Sequence, residues 1–123
     1  GLFGAAAGKV RGGSFEFASA NELWRASLDV IDFMPLTSVN YSGGVIITDW
    51  YSDQGNTNES IKITIKFLSN EVRSDSLDVD VFYKTCIATS NCKINKQEGQ
   101  LKKEITKQIL AKAAIYKKQD KDR

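Results

Sequence analysis

The chain has no histidine among its 123 residues. That removes the commonest general base and the commonest metal ligand together. There are only two cysteines, too few without histidine for a zinc site, which wants four ligands. Their C-x5-C spacing is not the redox C-x-x-C either. No apolar run approaches the roughly 18 residues of a membrane span. No secretory leader is present. The chain opens on Gly1 rather than methionine, so it reads as a processed or truncated chain, and the lack of a leader does not place it in the cytoplasm. Glycines are concentrated at the start, in GLFGAAAGKVRGGS, but no GK[ST] follows them and no strand precedes them. A phosphate loop is therefore excluded there, and the segment reads as a linker.

What is present is enough for one folded domain. Hydrophobic residues make up 41% and charged residues 26%, an ordinary globular balance that does not depend on cysteine cross-links. Net charge is +2, unevenly spread: residues 96–123 carry nine Lys/Arg against four Asp/Glu. A basic end of this kind is a solvated face, or contacts an acidic surface such as lipid headgroups.

The chain is organised around residues 21–51. Ser19 and Glu22 form a capping box, with Leu23, Trp24, Leu28, Ile31 and Met34 following at helical spacing. The chain's one proline, Pro35, ends this helix near Met34. Gly43-Gly44 allows a bend or a close backbone approach. Val45 to Tyr51 then reads as a central strand, apolar on both faces as far as Thr48. Asp49 is an uncommon residue inside such a run: either a strand-end acid with backbone or Arg partners, or a carboxylate put to chemical use. Phe15 and Phe17 suggest a short earlier strand.

Two alternating strands follow. Ile61, Ile63, Ile65 and Phe67 face one way in the first; Leu77, Val79, Val81 and Tyr83 do so in the second. Lysines and aspartates, Asp78 and Asp80 among them, occupy the opposite face, in water. Cys86 and Cys92 bracket a turn over Ala88–Asn91, either bonded across a small hairpin or as free thiols; the disulfide is favoured. Asn95, with Glu98 at the third position, caps a last helix whose stripe is Leu101, Ile105, Ile109, Ala113 and Tyr116. The pattern predicts a two-layer α+β domain: an antiparallel sheet of three to five strands with an N-terminal and a C-terminal helix on one face. Residues 1–14 are the linker, 15–118 the domain and 119–123 a frayed polar tail.

LWRASLDVIDFMPL, then GGVIITDWY, then a strand, a turn and LDVDVFYK together resemble the DUF3576 family of uncharacterised alphaproteobacterial proteins, which commonly carry lipoprotein-type leaders. The element order is also similar, in architecture alone, to the helix-grip domains of the outer-membrane-assembly lipoprotein BamC. The resemblance implies a periplasmic envelope protein, anchored to the outer membrane by a lipid on a removed N-terminal segment. It brings no catalytic motif.

The expected function is thus a non-enzymatic, structural or protein-binding module without cofactor or metal, whose partner is an envelope protein or peptide held at a sheet edge or helix groove. Arg25, Asp49 and Trp50 are the residues that packing does not explain, candidates for a buried polar tie or a binding site. The alternatives are a carboxylate-based hydrolase using Asp49 beside Asp29 or Asp32, and an anionic-membrane binder acting through Lys102, Lys103 and Lys107. Nucleic acid is not an expected partner: the aromatics are placed for core packing and the overall charge is small.

Overall fold

The computed structural model describes residues 21–52 and 58–122. The expected linker, the strand at Phe15 and Phe17 and the Ser19 cap lie outside the described residues. Among the described residues a helix α1 (Glu22–Val30) comes first. It is followed by strands β1 (Leu36–Asn40), β2 (Val45–Thr48), β3 (Glu59–Phe67), β4 (Leu77–Ala88) and β5 (Asn91–Gln97), and by helix α2 (Gln100–Lys121). The five strands form one antiparallel sheet in the order β1-β2-β3-β4-β5. This is the two-layer α+β fold that the alternation predicts, with both helices on one face.

The N-cap of α1 is Asn21, whose side chain accepts from the Trp24 amide at 3.1 Å. Leu23, Trp24 and Ala26 turn into the core. Ser27 is fully buried without penalty because its hydroxyl donates to the Leu23 carbonyl at 2.9 Å. The helix stops at Val30, four residues short of the expected end. Asp32 and Met34 then bond back to Asp29 and Ile31, three residues each, so the chain tightens into turns ahead of Pro35.

Leu36–Asn40 is an edge strand. The turn from β1 to β2 places Gly44 at φ +67, where a Cβ would stand 3.1 Å from the Phe67 carbonyl oxygen. The Phe67 amide donates to the Gly44 carbonyl at 2.8 Å, so this is the close backbone approach that the glycine pair allows. The middle of the sheet is β3 rather than the Val45 strand, which lies one place in from the β1 edge.

A single core joins the layers. It contains Leu23, Trp24 and Ile31 from the α1 segment, Ile46, Ile63, Ile65, Val79 and Val81 from the sheet, and Ile105, Ile109 and Ala113 from α2. Two expectations at the C-terminal end change. Asn95 does not cap a helix: it pairs with Tyr83 inside β5, and α2 begins after Gly99 with no side-chain cap. Ladder bonding to β4 uses the backbone groups that a helix there would need. The helix also runs on to Lys121, past the boundary expected at residue 118, where Asp120 meets Arg25 of α1 at 3.6 Å.

Candidate functional site

The last residues of β2 are built around an irregularity. Ile47 pairs with Thr64, and the next pairing is the isolated bridge of Tyr51 with Ile61. Three residues, Thr48 to Trp50, thus oppose two, Lys62 and Ile63, which is a β-bulge. The buried Thr48 hydroxyl fills the gap in the ladder by accepting from the Ile63 amide at 2.9 Å. The Asp49 amide donates to the Pro35 carbonyl at 2.9 Å, and its carboxylate accepts from the Trp50 amide at 2.8 Å.

The extra residue reverses the side-chain alternation. Tyr51 turns inward, against the core and the Phe33 ring at 5.4 Å. Trp50 turns outward, onto the sheet face away from the helices. There the Lys84 ammonium stands 4.6 Å, and the Lys62 ammonium 5.7 Å, from the indole centroid.

Of the residues singled out from the sequence, Asp49 and Trp50 are therefore neighbours in one bulge. Asp49 is exposed, an arrangement unlike a buried tie. Arg25 belongs to a different cluster, between the helices. Its guanidinium lies 4.1 Å from the Tyr116 centroid, beside Asp120, and the Tyr116 hydroxyl donates to Asp29. The hydrogen bond to Asp29 and partial burial raise Tyr116 above the usual phenol range. The acids weighed for hydrolysis divide in the same way: Asp29 and Asp32 line a cavity of about 250 Å³ with Arg25, and Asp49 is not part of that wall.

Glu22 lies at the same helix junction. Partial burial, then the hydrogen bond and charge of Asp120, raise its carboxyl above the ordinary value of 4.5. An acid raised in the folded state favours folding when protonated, so this contribution is present below 4.5 and lost as pH rises through the raised value. Glu22→Gln is expected to be more stable than the parent near neutral pH, with the difference shrinking as pH falls below the ordinary carboxyl range. Urea midpoints across that range check the sign.

Asp80, expected in water, is 5% exposed. Pairing with β5 ends at Gln97 opposite Val81, so the chain turns beside Asp80 on its way into α2. Lys96 and Lys102 close over it, with ammonium groups 3.2 and 3.9 Å from Oδ1. Oδ1 is otherwise unpartnered, and the Lys96 contact acts as an ion pair rather than a well-aligned hydrogen bond. Lys102 also reaches Glu98 at 3.4 Å, whereas Lys103 and Lys107 are exposed. Neither the burial of Asp80 nor the outward turn of Trp50 carries a composition signal; the bulge alone separates the second from a simple strand reading.

Cys86 and Cys92 are directly opposed across the β4–β5 hairpin and joined by a disulfide. The Cys86 amide donates to the Asn58 carbonyl, on the β3 side, so Cys86 and Cys92 are a non-hydrogen-bonded pair. It follows that the amide and carbonyl groups of Cys92, Ile94 and Lys96 point to the free edge. All seven residues of β5 are exposed.

Among the described residues no helix is long and apolar enough to cross a membrane, and no group of three or more Cys, Asp or Glu stands ready for a metal ion. No solved structure matches the domain. The chain is similar to the uncharacterised protein RP420 of Rickettsia prowazekii (strain Madrid E), with 37% identity over 91 residues; the match covers 74% of this chain and 54% of the relative. The chain thus spans about half the length of that relative. The profile of a domain of unknown function, DUF3576, matches residues 17–118, taking in α1, every strand described above and all but the last three residues of α2, so the chain belongs to the DUF3576 family.

Proposed function

We propose that the domain is a non-enzymatic, protein-binding module of the bacterial cell envelope, working in the periplasm, and that it takes an extended segment of its partner along β5. The observation that carries this reading is the free edge of that strand. Its outward amide and carbonyl groups at Cys92, Ile94 and Lys96 are those that strand addition uses. A two-stranded overhang without a helix against it is marginal in water, and the Cys86–Cys92 link holds this one in register. A disulfide at this place also suits an oxidising compartment. Lys93 and Lys96 discourage the edge from pairing with its own copies, yet leave it open to an acidic segment.

Ile94→Pro tests the reading. It removes an outward amide without removing a bond to β4. A photo-crosslinker at Lys96 in the full-length protein is expected to capture a defined envelope protein, and Ile94→Pro to abolish the capture while fractionation stays periplasmic. Equal capture from the opposite edge at Thr37, or persistence in Ile94→Pro, counts against strand addition. Recovery of the protein in the cytoplasmic fraction counts against the location.

A further inference from the structure

Register places Lys62, Thr64 and Lys66 of β3 and Asp78, Asp80, Phe82 and Lys84 of β4 on the sheet face away from the helices. Charge on this face is sorted. At one end Lys66 stands opposite Asp78, and Asp80 holds Lys96. At the other end the bulge delivers Trp50 between Lys62 and Lys84, and among the described residues neither ammonium has a carboxylate within ion-pair distance. An indole face accommodates a cation, but two ammonium groups beside one ring leave a concentrated positive potential that an anion would neutralise.

We propose that Trp50, Lys62 and Lys84 bind an acidic side chain of a polypeptide partner. The carboxylate takes the two ammonium groups, and its methylene stem rests on the indole and Phe82. That the ligand is a polypeptide rests on the strand-addition reading: Lys84 lies directly opposite Ile94, so a segment on β5 runs two strand spacings, about 10 Å, from the backbone of the lysine. The bulge has a purpose in this arrangement, since a regular strand would turn Trp50 into the core.

The test uses the full chain and a short capped peptide alternating glutamate with valine, followed by the indole and amide N–H signals in NMR. The glutamate peptide is expected to shift the Trp50 indole signal and to weaken with added salt. Its affinity is expected to fall about tenfold in Lys62→Gln/Lys84→Gln and in Trp50→Ala. Both variants alter half-buried positions on the outer face, and retained amide dispersion shows that they fold. Equal binding of a glutamine-for-glutamate peptide, or unchanged affinity in the double variant, overturns the proposal. Inorganic phosphate moving the same signals as strongly as the peptide leaves a small-anion site and overturns the polypeptide assignment. Ile94→Pro separates the two readings. Glutamate-peptide binding that survives it but not the lysine changes upholds the triad and removes strand addition. The converse pattern removes the triad and upholds the edge.

Discussion

Replacing Trp24 with alanine is expected to cost about 3–5 kcal/mol of folding stability, the usual range for a buried tryptophan. The indole is 3% exposed. It meets the Tyr41 ring edge-on at 5.0 Å and the Phe67 ring at 5.2 Å, so its removal opens a void bordered by the helix, the β1–β2 turn and β3 at once. The Tyr41 hydroxyl, which accepts from the Asn21 side chain at 3.5 Å, would lose the wall that positions it. For a domain of this size the loss corresponds to a fall in melting temperature of about 12–25 °C. Differential scanning calorimetry measures it, and Trp24→Phe is expected to recover more than half. A loss of less than about 1 kcal/mol would mean that the site collapses around the smaller side chain and that the ring cluster contributes little.

The second large effect is expected from one hydroxyl. Thr48→Val keeps the side-chain shape but leaves the Ile63 amide buried without an acceptor, at a cost of about 1–3 kcal/mol. Thr48→Ser keeps the oxygen and gives up one methyl, so it should lie closer to the parent in urea denaturation. The order of the two variants is the informative result. If valine proves the milder change, the Ile63 amide has another acceptor, and Thr48 is not what holds the bulge. The same variant also bears on the outer face, because the bulge that Thr48 supports directs Trp50 to the two lysines.

Much of the fold was legible from alternation. Ile61 to Phe67 and Leu77 to Tyr83 show the period of two that a sheet with one buried face requires, and Leu101 to Tyr116 shows the helical stripe. Where the reading failed, a backbone event intervened that leaves no mark in composition. Asn95 and Glu98 have capping chemistry, but Asn95 pairs with Tyr83 as a strand residue, and ladder bonds outweigh a cap. Asp80 alternates as a solvent residue and is covered only because β5 ends beside it. The prominence of Asp49 and Trp50 was visible in the sequence; its cause was not, since one extra residue in a strand cannot be told from continued pairing until the partner strand is known. Arg25 was legible as a residue needing a partner, but the partners lie on a helix some 90 positions away.

The strand order, identical to chain order, has a kinetic meaning. Every ladder in the sheet closes a short loop between sequence neighbours, and closure entropy rises only slowly with loop length, about 0.6 kcal/mol for each doubling. The distant join in this domain is between the helices, where Tyr116 and Asp29 are 87 positions apart. A chain of this design can assemble its sheet from neighbouring hairpins and leave one long closure to the helix pair. The contacts of Arg25, Tyr116 and Asp120 then mark where that closure is made.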